Sequence, residues 1–408
     1  MAAIYLHIGT PKTGTSSIQV ALADNNRELN KQGITFPDLG YRYEGIRDQR
    51  NGHFLIDVHD ESGEDYIGAV KQLKELITQY EKIILTDESL WNNDRRIPKF
   101  VADMKEAGAE VKIVVYFRRQ DLYLQSQWAQ DVKETMTWDF DYFLETTKIR
   151  VDFYKQACVL AELVGKENLL VRVYERSQFI NNDLVTDFFE TVGIVRTEEF
   201  VEEKTANPSL SGIYLEAKRL LNRTEAYANK TSFVVPYLLR IAEKNGEKAS
   251  FSKNIYFSSR KQKEFLRKCE ESNQMLAKEF LGREDGVLFK DMIELNEEPV
   301  QETGVSESYA KLAAFIKENN LEKEACRYVE KMNQDTYDAR YKKEECVDVL
   351  AEVILMQKEC IDGQKQKIKA QKERIAKLLT PKESVKSILR YGRDQVKGAF
   401  MSGKKKEK

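Results

Sequence analysis

The chain has 408 residues, of which 65 are Lys or Arg and 67 are Asp or Glu, giving a formal net charge of −2. That length accommodates one large domain with an appendage, or two domains, and the balanced charge leaves no footprint for nucleic acid, so none is expected as a partner. Five scattered cysteines (Cys158, Cys269, Cys326, Cys346, Cys360) form no Cys-x-x-Cys pair, the histidines His7, His53 and His59 complete no zinc set with them, and no stretch reaches the ~20 apolar residues of a membrane span, so a cytoplasmic protein without a metal is expected.

The apolar run Ile4–Ile8 is too short for a secretory signal, lacks a basic lead-in, and reads as a first strand. It opens into Gly9-Thr10-Pro11-Lys12-Thr13-Gly14-Thr15-Ser16-Ser17, after which Ile18, Ala21 and Leu22 fall at helical spacing. Strand, glycine loop and helix N-terminus together grip an anion: the helix start offers unpaired N–H groups and the positive end of its dipole. Gly14 lets the backbone curl where a side chain would obstruct it. Lys12 adds a mobile positive charge, and Thr15 and Ser16 add hydroxyl donors. Gly9 and Gly14 have the spacing of the loop of nucleotide hydrolases, but Thr15 stands where such a loop carries lysine, and the loop's lysine lies inside it at position 12. The bland alternative is a glycine turn joining a strand to a helix.

The first helix is predicted to run to about Lys31, where Gly33 ends it, and Ile34–Pro37 to form a short strand. Residues 38–62 read as loop, with a brief helix around His53-Phe54-Leu55. Ile67, Val70, Leu73, Leu76 and Ile77 mark a second helix, and Lys82–Thr86 a buried strand followed directly by Asp87-Glu88-Ser89. A helix over about 96–107 stops at Gly108. Val111–Phe117 is the next strand and runs into Arg118-Arg119 and a helix bearing Leu122, Tyr123, Ser126 and Trp128. A helix over 152–164, the strand Leu169–Val173 and a helix with Leu184, Phe188 and Phe189 complete the alternation. Strands alternating with helices predict a P-loop-type parallel sheet flanked by helices, with ligands at the carboxyl ends of the strands. Lys12, Glu88 and Arg118 all fall at such ends.

From about residue 205 the pattern is helical. Asn207–Ser211 can cap a helix containing Leu215, Leu220 and Leu221, a further helix covers about 259–281, and 306–345 suggests more helix. Val347, Ile354, Ile361, Ile368 and Ile375 then repeat every seven residues beside Leu350, Gln357, Gln364, Gln371 and Leu378. A short coiled coil joining copies through 347–379 and a lone amphipathic helix both remain open, since Gln and Gly363 weaken the seam. Beyond Pro381, Lys and Arg alternate with apolar residues such as Leu389, Tyr391 and Phe400. That pattern suits peripheral contact with anionic lipid on the inner face of the membrane, at ~1 kcal/mol per basic residue, or a solvated tail. The expected division is 1–295 as the α/β domain, 296–345 as a helical segment, 346–380 as a long helix or coiled coil, and 381–408 as a basic tail.

The Pro11–Ser17 loop, together with Arg118-Arg119-Gln120-Asp121-Leu122-Tyr123-Leu124-Gln125-Ser126 after a strand, resembles the bacterial carbohydrate sulfotransferases that use 3′-phosphoadenosine 5′-phosphosulfate (PAPS). The resemblance covers about residues 1–290. It implies that Pro11, Lys12, Thr13, Gly14, Thr15 and Ser16 bind the 5′-phosphosulfate. It implies that Arg118 and Ser126, eight positions apart as in the family, hold the 3′-phosphate, of PAPS and of the product PAP. Arg119-Gln120 replaces the family's Asp-Pro or Asn-Pro pair, which makes Arg119 a rival to Arg118. Lys12 would stabilise charge on the departing phosphate. Glu88 would take the proton of a glycan hydroxyl, with His53 as the rival base. Cell-surface or capsular polysaccharide is the implied acceptor. Two other functions stay open: a nucleotide hydrolase or kinase holding Mg²⁺ with Asp87 and Glu88, and a non-catalytic scaffold working through its C-terminal helix and tail. Of the remaining histidines, His7 reads as a satisfied core residue and His59 as exposed.

Overall fold

The structure is a computed structural model that describes residues 1–39, 50–57, 62–201, 210, 212–222, 231–244, 256–293 and 363–373. Strand β1 (Ala3–His7) is followed by α1 (Thr15–Asp24), α2 (Asn26–Asn30) and β2 (Ile34–Thr35). Then come α3 (Glu64–Leu76), β3 (Lys82–Thr86), α4 (Ile97–Glu106) and β4 (Glu110–Phe117). After β4 run α5 (Gln120–Glu134), α6 (Phe140–Thr146), α7 (Phe153–Val164), β5 (Leu169–Val173) and α8 (Leu184–Val192). Helices α9 (Gly212–Leu221), α10 (Thr231–Lys244) and α11 (Ser259–Leu281) close the described α/β unit.

The five strands form one sheet in the order β2-β3-β1-β4-β5, and every pairing is parallel. β1 is central, with Tyr5 opposite Ile84 of β3 on one side and Lys112 of β4 on the other. Side chains alternate across the sheet because the strand period is two. Ile4, Leu6, Ile83, Leu85, Ile113 and Val115 face one layer, where Val70 and Leu73 of α3, Phe100 and Met104 of α4, and Phe153 and Leu160 of α7 cover them. Tyr5, Ile84, Val114 and Tyr116 face the other, under Ile18 and Leu22 of α1 and Val185, Phe188 and Val192 of α8. With both faces covered, these strands are near-continuous apolar runs, as buried parallel strands must be.

The chain leaves β1 toward the α1 layer, whereas α3, α4 and α7 all lie on the opposite layer. The exits of β1 and of its neighbours β3 and β4 therefore diverge, and the crevice between them lies outside the carboxyl end of β1. The loop from Ile8 to Gly14 occupies that position.

Three elements differ from their predicted form. The first helix does not run unbroken to Lys31; it stops at Asp24 and restarts at Asn26. Asn25 breaks it, because its amide nitrogen donates to the Ala21 carbonyl at 2.9 Å and its amide oxygen accepts from Val201 N at 2.7 Å. The second strand is only Ile34–Thr35, paired to the outer side of β3. Helix α10 falls in the stretch read as helical from about residue 205 but was given no bounds of its own; Pro236 lies inside it, where a missing N–H and the ring ordinarily stop a helix.

Residues 363–373 are helical, with Ile368 half exposed. The remainder of the heptad segment, the helical segment 306–345, the basic tail 381–408, Asn207–Ser209 and Ser211, His59, Cys326, Cys346 and Cys360 lie outside the described residues. Among the described residues, no helix is long and apolar enough to cross a membrane.

Candidate functional site

The loop after β1 is stitched to β4 before it turns. Ile8 N donates to the Val114 carbonyl, Thr10 N to the Tyr116 carbonyl, and Tyr116 N back to the Gly9 carbonyl at 2.7 Å. The Thr10 hydroxyl donates to the Tyr116 carbonyl at 3.1 Å, and the buried Thr13 hydroxyl to the Thr10 carbonyl at 2.6 Å. Thr13 thus braces the loop from inside, leaving its main chain to face a ligand. Pro11 and Lys12 are half-buried, Thr15 is buried and Ser16 exposed. Lys12 has φ +67° and Gly14 has φ +70°, so the chain curls twice through the left-handed region before α1. The backbone N–H groups of Gly14, Thr15 and Ser16 donate to nothing among the described residues. The result is a concave row of donors at the positive end of a ten-residue helix.

Gly14 is constrained twice. Its φ disfavours any side chain, and a Cβ there would lie 2.4 Å from Leu184 Cδ2. Gly14→Ala is expected to lower stability by about 1–3 kcal/mol, the range for a non-glycine residue forced into this backbone region. Thermal unfolding of the variant against the wild type measures it, and an unchanged melting temperature would refute the constraint.

Arg118 follows β4 directly and turns back onto the loop. Its Nη1 donates to the Lys12 carbonyl at 2.9 Å and to Ser126 Oγ at 3.0 Å. Its guanidinium lies over the Tyr174 ring, 5.5 Å from the centroid. Burial lowers its pKa from the ordinary value, partly offset by Tyr174 and Asp121, but an arginine stays charged. Arg119 is not placed to compete. Its Nε and Nη2 hold the buried Asp121 carboxylate at 2.8 and 3.1 Å, and that ion pair locks the start of α5.

One face of α5 runs along this loop. Ser126 meets Arg118, Gln130 Oε1 accepts from Lys12 Nζ at 3.3 Å, and Lys133 follows one turn further on. Burial pushes the Lys12 ammonium down to about 8. The positive charges of Lys133 and then Arg118 add to the push, and Glu88 and Asp131 oppose it. Burial raises the Asp131 carboxyl to about 6, against the Gln127 amide that donates to it at 2.8 Å.

Glu88 begins a 3₁₀ turn directly after β3, and its Cα lies 3.4 Å from where a Cβ on Gly9 would stand. Glu88 is therefore at the loop. Its Oε2 accepts from Gln19 Nε2 at 3.1 Å. That amide lies 3.4 Å from Thr86 Oγ1, which in turn lies 3.0 Å from His7 Nδ1. His7 is only half satisfied: its Nε2 is buried without a hydrogen bond. Burial holds its imidazole neutral, with a pKa of about 3, against a small opposing pull from Asp87.

His53 lies on a neighbouring but separate network. Its Nδ1 lies 2.7 Å from Asp87 Oδ2, while Asp87 Oδ1 accepts from Arg50 Nη2 at 2.5 Å and from Ser89 N at 2.8 Å. Both oxygens of this fully buried carboxylate are thus committed to side chains and backbone of the chain itself.

Lys12, Gly14, Thr15, Ser16, Glu88, Arg118 and Ser126 come together around one loop; His53 is held at its side by Asp87. Sequence reasoning missed Gln19, Gln130 and Tyr174. Gln19 carried a signal, since it shares the inward face of α1 with Ile18 and Leu22. Tyr174 carried none, because nothing in its local sequence tells which loop it faces.

Fold and site together define a P-loop-like α/β protein with a loop of backbone N–H groups, unpaired among the described residues, at the carboxyl edge of a five-stranded parallel sheet. An uncharacterized protein of Archaeoglobus fulgidus is 30% identical over 219 residues, covering 52% of this chain and 59% of that relative. The match thus spans less than two thirds of the relative's length. No protein-family model matches the chain, and no solved structure matches it.

Proposed function

We propose that the chain is a PAPS-dependent sulfotransferase acting on a glycan hydroxyl. The observation that carries this reading is the Arg118 guanidinium, shared between Ser126 Oγ and the carbonyl of Lys12. A buried guanidinium beside a hydroxyl suits a phosphate, and its bond to the loop supports a reading in which that phosphate lies close to a second anion at α1. PAPS carries two such groups, a 3′-phosphate and a 5′-phosphosulfate. The donors fit both: the N–H groups of Gly14, Thr15 and Ser16 with Lys12 for one, Arg118 and Ser126 for the other.

PAPS supplies a sulfuryl group that passes from its phosphate oxygen to the acceptor oxygen. The loop N–H groups and Lys12 hold the phosphosulfate, and the Lys12 ammonium offsets negative charge on the oxygen being released. Glu88 takes the proton of the acceptor hydroxyl, with Gln19 fixing the orientation of its carboxylate. The neutral core around His7 gives Gln19 and Thr86 a rigid backing.

The rival, Mg²⁺-dependent nucleotide hydrolysis, needs an acid free to hold the ion. Asp87 is engaged by Arg50, Ser89 and His53, which favours the sulfotransferase. A cytoplasmic location, lipid contact through 381–408 and self-association through 347–379 belong to this proposal as well, on the sequence alone. The test is labelled PAPS incubated with the protein and cell-envelope glycans, with mass analysis of the product. Glu88→Gln is expected to lower transfer about 100-fold or more, as for loss of a positioned general base. Transfer unchanged in Glu88→Gln would remove Glu88 as the base and move that role to His53.

A further inference from the structure

The α5 face that runs along the loop carries three residues in register. Ser126, Gln130 and Lys133 stand at i, i+4 and i+7, so they lie in one line along the helix. Ser126 touches Arg118, and Gln130 touches Lys12. Read as donor sites, these two contacts order the line: the 3′-phosphate lies at Ser126 and the phosphosulfate at Gln130. On that order Lys133 is the next position along α5 beyond the transferring group.

Lys133 lies in the last turn of α5, where a positive charge suits the negative end of the helix dipole. It is half-buried and, among the described residues, makes no hydrogen bond or ion pair. The neighbouring Glu134 carboxylate is occupied by Gln130 Nε2 at 3.1 Å, and Lys218, the other lysine close by, is bonded to the Glu134 carbonyl at 3.1 Å and to Asn222. An ammonium withdrawn from water without a hydrogen-bond acceptor is costly; the charge of the neighbouring Glu134 offsets part of that cost, while Lys133 and Lys12 crowd each other with like charge. A binding site tolerates that arrangement when the ligand brings the missing negative charge.

We propose that Lys133 forms an anion subsite on the acceptor side of Lys12, and that the acceptor carries an acidic group, a carboxylate or a sulfate ester, beside the hydroxyl it presents. This rests on the sulfotransferase reading for the order of sites along α5. The two donor anions are already matched by Lys12 and Arg118, which leaves Lys133 for a third.

The test uses the full chain, wild type and Lys133→Gln, with and without PAP. Three matched sets of disaccharides are titrated by ligand-observed NMR: neutral, uronate-containing, and neutral bearing sulfate esters. PAP affinity is measured separately by calorimetry and is expected to differ less than threefold between the two proteins, which also reports that the variant is folded. At least one acidic set is expected to bind wild type ten times more tightly than the neutral set, and that preference is expected to collapse in Lys133→Gln. Which acidic set binds separates carboxylate from sulfate ester. Acidic sets no tighter than neutral, or a preference that survives Lys133→Gln, would overturn the subsite. A tenfold loss of PAP affinity in Lys133→Gln with the sugar preference intact would assign Lys133 to the donor instead. Failure of wild type to bind PAP would remove the sulfotransferase reading, while the charge preference is still read on the free protein.

Discussion

Arg118→Lys is expected to weaken PAP binding about 100-fold while changing the affinity for adenosine 5′-phosphate less than fivefold. The reasoning starts from geometry. Arg118 is buried, and one of its nitrogens bridges Ser126 and the loop carbonyl of Lys12, which sets its guanidinium at the edge of the loop. Lysine keeps the charge but has no planar fork, and its ammonium cannot hold Ser126, the loop and a phosphate in one plane. Truncating one member of a buried, hydrogen-bonded charge pair costs about 2–5 kcal/mol, and each 1.4 kcal/mol is tenfold in affinity. The loop itself should survive, because Thr10, Thr13 and Tyr116 pin it independently. A nucleotide without the 3′-phosphate therefore loses little. Calorimetric titration of both nucleotides into both proteins gives the answer. Equal losses for the two would mean that Arg118 only braces the loop.

Lys12→Met is expected to lower transfer about 100- to 1000-fold, the range for removing one preorganised donor from developing negative charge. The same residue sets an alkaline limit. Burial and the Lys133 charge hold the Lys12 ammonium down to about 8 in the free protein. Catalysis needs the protonated form, so kcat/KM is expected to be level below pH 8 and to fall above it as the proton leaves. A bound anion stabilises the ammonium, so the corresponding limb in kcat lies at higher pH. Lys12→Arg, whose charge does not titrate in this range, should lose the limb although its rate is lower. A pH profile with the same alkaline limb in Lys12→Arg would assign the titration elsewhere.

Much of the fold was legible because each buried strand is a largely apolar run ending in loop residues. Lys82–Thr86 and Leu169–Val173 are strands over those residues, β4 begins one residue before Val111, and α11 covers Ser259–Leu281. The loop was legible for a local reason: its glycines, lysine and hydroxyls are contiguous, and their chemistry does not depend on distant contacts. Where long-range contacts decide, the sequence was silent. Asn25 breaks the first helix by bonding Val201, which is 176 positions away. Arg118 and Arg119 are neighbours of the same type, and only the placement of Asp121 assigns one to structure and leaves the other at the loop. The Glu88–Gln19–Thr86–His7 chain joins residues from β1, α1, β3 and the turn that follows β3. No spacing in the sequence links them, because each enters the network from its own element.

The most direct measurement of the central claim is calorimetric titration of PAP in the presence of a divalent-metal chelator, set beside titration of ATP with Mg²⁺. Micromolar binding of PAP that is unchanged by the chelator, with ATP–Mg²⁺ binding at least tenfold weaker, is the expected result. Tight ATP–Mg²⁺ binding with none to PAP would contradict it.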